Sequence, residues 1–497
     1  MTMDRGFSGQ SPIESGAEAL SITLPSSLPC LQKTKVRDTA DSCAMCQDIL
    51  HENRYPRLGV PGIIQVAQML RIRTLLRTLV ERRSTRASPW NMRLRSLLAT
   101  TMVERRSSQD AWLHQRKFID PHAKDLVDLF FAKVNICLPI LDEESFRYTY
   151  LNHQRKISLA PLSTIYASAL VYWHDSPKLR NIRYPDVNFI WAQSCEAVHS
   201  EMFLPPGMST VMALMLDVCG RPSTTMLADG GLIGLAVALS NALGLHRDPS
   251  GWNISTSEKK LRIRMWRMIV VHDRWCSLAY GTPMQIHRAQ HDVPIPNAED
   301  LCPPGASPSS IAATSVFISL ITLTDVLGRY LEYIYHVAKS SPDPFEISAT
   351  NPKLLLGKWE QTLSDDIRKA VMRGTHLDAP GAANLRLSYL AVKLLLWRIR
   401  LDRDRGPLPV EETFDCPFYL RAQRAAEDIV HFVQELDESH CRGFWIPANG
   451  FTLTSAMSFL LRSALRSRNS SAHNNNTPLK LARDMIDALQ HPRRDFS

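Results

Sequence analysis

The run His246-Arg247-Asp248 followed by Asn253 has the H-R-D-x-x-x-x-N spacing of a phosphoryl-transfer loop. In that chemistry the Asp accepts a hydroxyl proton and the Asn holds magnesium. The companion pieces are missing from the sequence: no G-x-G-x-x-G loop, no Val-Ala-Ile-Lys strand, no Asp-Phe-Gly and no Ala-Pro-Glu. Pro249 directly after the Asp also reads as a chain break rather than a catalytic loop. Gly230-Gly231-Leu232-Ile233-Gly234 echoes a phosphate-binding turn, but no strand precedes it, and helix packing is the expected use. Cys43-x-x-Cys46 has a metal-ligand or redox spacing, with only Cys30 and His51 nearby and neither at a partner spacing. No H-E-x-x-H helix and no G-x-S-x-G elbow occurs, so no catalytic residue is assigned and the chain is not expected to be an enzyme.

Charge supplies a second kind of chemistry. The chain carries 58 Lys and Arg against 49 Asp and Glu, a formal net charge of +9. Twelve basic residues lie between Arg71 and Lys117, opposed only by Glu81, Glu104 and Asp110, so the whole excess sits there. Arg71, Arg73, Arg77, Arg82 and Arg83 are the candidate contacts to an anionic partner. Arginines of this kind pair with phosphates without reading bases, which gives salt-dependent, non-specific nucleic-acid binding; a solvated helix face is the plain alternative.

The elements that must position these groups follow from hydrophobic spacing. The chain has 497 residues, is 44% hydrophobic and 22% charged, and so can bury a large core. Residues 1–60 are rich in Ser and Pro with no sustained apolar period, and disorder is expected there. Across 61–117 an Arg-rich amphipathic helical linker is expected, with Ile72, Leu75, Leu76, Leu79 and Val80 on one stripe. From about 118 to 465 the spacing is helical nearly throughout, as in Asp125–Val134, Ile311–Tyr335 and Leu385–Leu401. Residues 466–497 read as a polar linker and a short helix over Pro478–Leu489. The fold class is therefore all-α, a large helical body behind a basic N-terminal extension.

No uninterrupted run of roughly 18 apolar residues occurs, and Gly230–Leu245, the most apolar stretch, reads as a buried helix, so no membrane partner is expected. Asp4, Glu14 and Glu18 stand where a signal peptide needs a basic and then an apolar region, so none is expected. Ten cysteines at no framework spacing suit a reducing compartment.

The segment from Ala236 to Pro296 is the most distinctive. An apolar helix ends at Gly244 and Pro249, and Ser255-x-x-Glu258 reads as a capping box opening the next helix. That helix carries Arg262, Arg264, Trp266, Asp273 and Arg274 and stops at Gly281 and Pro283; Asp273 and Arg274 are placed for ion pairing. The order A-x-x-x-x-L-G-L-H-R-D-P (Ala238 to Pro249, with His246, Arg247 and Asp248), then Glu258, R-x-R-x-W (Arg262 to Trp266), V-x-D-R-x-x-S-x-x-x-G-x-P (Val271 to Pro283), Ile286 and D-V-x-x-P (Asp292 to Pro296) resembles the middle homology region of fungal zinc-cluster transcription factors. Upstream, Leu126 to Phe131, Leu138 to Asp142 and Ser145-Phe146 resemble the opening of that region. The resemblance covers about residues 118–335.

The resemblance implies an all-helical regulatory domain, a transcription regulator located in the nucleus, and no catalytic residues. Its implied partners are the transcription machinery or a DNA-binding partner protein, with a homodimer also open. Family members begin with a six-cysteine zinc cluster that aims a helix at the major groove. This chain offers only Cys30, Cys43 and Cys46, at most a remnant, so no zinc cluster and no cofactor are expected. The alternative reading is a helical ligand-binding or protein-interaction scaffold with no role at DNA, in which Trp266, Trp275 and Phe317 would line an apolar pocket.

Overall fold

Capping residues and apolar spacing set the helices one by one. The computed structural model describes residues 119–202, 206–220, 226–303, 305–335, 352–404, 416–469 and 477–490. All of them lie in one compact unit, Pro56–Ser497. The expected segments 1–60 and 61–117 lie outside the described residues, and with them Cys30, Cys43, Cys46, Arg71, Arg73, Arg77, Arg82 and Arg83.

The thirteen longer helices among the described residues are α1 (Ala123–Leu129), α2 (Glu143–Asn152), α3 (Leu159–Leu170), α4 (Val187–Met202), α5 (Met208–Gly220), α6 (Met226–Ala242), α7 (Thr256–Tyr280), α8 (Pro308–Ile334), α9 (Pro352–Thr362), α10 (Ala382–Asp404), α11 (Pro417–Glu435), α12 (Asn449–Asn469) and α13 (Thr477–Gln490). No strand occurs among the described residues, as the all-α reading requires.

Helices that follow one another in sequence also pack on one another. α3 lies against α1, α4 and α5; α5 against α6; α6 against α7; α7 against α8; α8 against α10; and α10 against α11. α7 and α8 are thus the middle of the stack, where the two halves of the body meet.

Local chemistry explains their ends. Ser307 caps α8 by accepting from Ser310 N at 3.1 Å, and Pro308 occupies the first turn, where its missing N–H costs nothing. Val316, Phe317, Leu320, Ile321, Leu327 and Leu331 then recur at three- and four-residue spacing and are all buried. Among the described residues α8 is the one helix long and apolar enough to cross a membrane by length and composition. In the structure it lies against α7, α9 and α10. The stripe expected in Asp125–Val134 is buried at Leu126, Leu129, Phe130 and Val134, with the chain widening into a π-helical segment at Phe130–Asn135. α13 buries Ala482 and Met485 against α11 and α12.

Candidate functional site

The site is built on α7. Ser255 Oγ accepts from Glu258 N at 3.2 Å, so the helix is capped as expected, but the reciprocal half of the capping box is missing. Glu258 instead turns along the helix to Arg262, 2.9 Å away, because an i,i+4 charge pair competes for the same carboxylate. Gly281 ends α7 with φ +68°, and Gly244 follows the end of α6 with φ +71°; a side chain is strained in this left-handed region, which explains both glycines.

Between these caps every residue from Ile263 to Ser277 is buried, including Arg264, Arg267, His272, Asp273 and Arg274. A helix buried on all sides normally carries apolar residues only. Here most of the charged groups are used to hold main chain. The segment 282–296, which we call the strap, runs from the end of α7 back along its side. Asp273 accepts from the N–H groups of Gln285 at 2.9 Å and Ile286 at 3.2 Å. Arg267 donates from Nε to Pro294 O at 3.0 Å and from Nη2 to Val293 O. Arg264 donates from Nε and Nη2 to Asp300 O just beyond the strap, with Asp142 3.7 Å from its Nη1. The planar fork of arginine suits this task, since it offers several N–H groups to carbonyls in fixed directions.

The other end of the strap is held by the turn after α6. Asp292 pairs with Arg247 at 2.9 Å, accepts from Asp248 N at 2.7 Å and donates its own N–H to His246 O at 3.2 Å. Asp248 accepts from Ser250 N and Oγ, which holds its carboxyl below the usual range. The H-R-D run is therefore a turn that grips the strap. Trp266 sits between the two, with ring centroids 6.1 Å from His246 and 5.6 Å from His291.

The sequence reading placed Asp273 and Arg274 for ion pairing. In the structure Asp273 accepts from the two strap N–H groups, and Asp325, Asp273 and Glu332 act on Arg274 by their charge. Burial pushes its carboxyl upward, and those hydrogen bonds and the Arg274 charge oppose the rise. Arg274 packs toward Gly328 of α8. Pro283 is exposed at the strap's start. Trp266, Trp275 and Phe317, the proposed pocket lining, are each 1% exposed and packed as core; Trp275 donates from Nε1 to Thr324 Oγ1 at 2.9 Å. A shallow cleft lies elsewhere, between Ile119, Leu159, Leu162 and Tyr166.

One pair of reactive groups escaped the sequence reading. Cys219 Sγ of α5 lies 3.0 Å from His272 Nε2 of α7, both fully enclosed. Burial drops His272 to about 4 and raises the Cys219 thiol, so the pair is neutral and packs as core. Two residues 53 apart with no motif around them leave no signal in sequence. Arg267 was visible only as one of several cations, since nothing local says which carbonyls a long side chain will reach. Among the described residues no group of three or more His, Cys, Asp or Glu is placed to hold a metal ion.

Residues 127–364 match the fungal specific transcription factor domain. An uncharacterized transcriptional regulatory protein of Schizosaccharomyces pombe is 28% identical over 369 residues, which is 74% of this chain and 53% of that protein. The transcriptional activator protein DAL81 of Saccharomyces cerevisiae is 24% identical over 410 residues, 71% of this chain and 41% of that protein. The acetamidase regulatory protein of Aspergillus fumigatus is 24% identical over 282 residues, 55% of this chain and 34% of that protein. This chain thus spans about half, or less, of the length of these relatives. No solved structure matches. The turn after α6, α7, the strap and α8 all fall inside residues 127–364, the stretch that is similar to the fungal specific transcription factor domain.

Proposed function

We propose that the helical body is the regulatory domain of a transcription regulator acting in the nucleus, in contact with the transcription machinery or a DNA-binding partner protein. The observation that carries this reading is the domain match over 127–364, with relatives named as transcriptional regulators aligned along as much as 74% of the chain. The geometry supports it. Arg264, Arg267, Asp273 and Asp292 are committed to backbone, as a body that holds and transmits a shape requires. Contact with nucleic acid is assigned to Arg71, Arg73, Arg77, Arg82 and Arg83, through phosphates.

The test is a reporter assay with the whole chain fused to a heterologous DNA-binding domain. A change in reporter output in either direction, relative to the DNA-binding domain alone, is the expected result. Output equal to that control would overturn the reading. A gel shift unaltered by replacing all five arginines would remove the nucleic-acid contact.

A further inference from the structure

The strap is clamped at both ends, yet between the clamps buried polar atoms stand without partners. Arg274 is only 2% exposed, and neither its Nε nor its Nη1 has an acceptor. On the strap, His291 Nδ1 and Nε2 are both buried and both unpartnered. Trp266, against the His291 ring, leaves its Nε1 unanswered as well. A buried donor that has lost its hydration and gained no acceptor is costly, and native structures rarely collect several in one place unless something fills them.

The protein's own acids do not fill them. Asp325, Asp273 and Glu332 act on Arg274 through space, but none accepts from its Nε or Nη1. Asp273 is taken by the strap, Asp325 lies 3.9 Å from Arg267, and Glu332 lies 3.7 Å from Arg288. Arg274 is also held in place. A Cβ on Gly328 would come within 2.5 Å of its Nε, so the guanidinium rests directly on the α8 backbone. Around His291 the charge is positive: Arg274, Arg267 and Arg288 act on it, against Asp292 alone.

We propose that Arg274 and His291, where α7, α8 and the strap meet, hold a small oxyanion, a carboxylate or a phosphate group, with Arg288 at the exposed rim. The anion accepts from Arg274 and from a His291 ring N–H, and so joins the strap to the two central helices. Binding does not depend on the regulatory reading above; the use of the site by an effector rests on it.

Thermal unfolding of the full chain tests this, with inorganic phosphate, acetate or succinate added at ionic strength held constant by sodium chloride. The expected result is a saturable rise in the unfolding midpoint, with phosphate for a phosphate site or with acetate or succinate for a carboxylate site. Arg288→Gln, at a side chain 53% exposed, retains the fold and weakens the effect roughly tenfold, the loss expected for one charge-assisted contact. Arg274→Gln and His291→Gln abolish it, and Arg373→Gln, exposed at the end of the π-helical segment Lys369–Arg373 and outside α7, α8 and the strap, leaves it intact. If Arg274→Gln does not fold, Arg288→Gln and His291→Gln decide alone. No saturable rise with any of the three anions, or an equal rise in the His291→Gln and Arg288→Gln proteins, overturns the proposal. Anion binding with a silent reporter would leave the site standing and remove only its regulatory use.

Discussion

Replacing Asp273 by Ala should release the strap from α7. The carboxylate is 3% exposed and accepts two backbone N–H groups, from Gln285 at 2.9 Å and Ile286 at 3.2 Å. Hydrogen bonds to a charged group contribute about 1.5–3 kcal/mol each. Against that stands the desolvation of a buried carboxylate, which the Ala variant no longer bears. Ile286 N–H is left buried and unpaired, whereas Gln285 is exposed and its N–H can reach water. The net loss comes to about 2–4 kcal/mol, a large part of the stability of an ordinary domain. Asp273→Asn keeps the shape and one carbonyl acceptor and should lose about half as much. Guanidinium unfolding of the full chain measures the loss, and hydrogen exchange locates it. The amides of Gln285 and Ile286 should exchange at least about thirtyfold faster, the factor equivalent to 2 kcal/mol, while α12 and α13 keep their protection. A loss below about 1 kcal/mol with unchanged strap exchange would refute the clamp.

Stability should also fall on acidification through His272. Burial lowers this imidazole to about 4, from 6.5 in an unfolded chain, so between those values the unfolded state binds the extra proton. The contribution is fully present above pH 6.5 and is lost as pH falls toward 4, by about 3 kcal/mol. His272→Gln should lose less than the wild type between pH 7 and pH 4.5 in parallel unfolding curves; equal losses would refute the assignment. At the start of α7, Ser255→Ala should cost about 1 kcal/mol, because it orphans Glu258 N. Glu258→Gln should cost only about 0.3 kcal/mol, because its carboxylate serves Arg262 rather than the helix end; equal costs would mean that the reciprocal box forms after all.

The sequence alone determined the helical character of this protein and the breaks between many of its helices. Apolar side chains at three- and four-residue spacing, Ser255 and Pro308 at helix starts and Gly281 at a helix end act within a turn or two of themselves. The order of the His246–Asp248, Arg264–Trp266 and Asp273–Pro283 pieces also exposed the resemblance to the domain that residues 127–364 match, because those pieces are local strings of residue types. What the residues do was decided only when α6, α7, α8 and the strap came together. Asp273 was able to pair with Arg274 or to accept from Gln285 and Ile286, and its hydrogen bonds go to the backbone because the strap passes directly over it. Arg267 found Val293 and Pro294 some 26 and 27 residues away, and Cys219 met His272 across two helices. Such choices depend on which groups lose water together, and that is fixed by packing over long separations in the chain, where no short pattern of residues can record it.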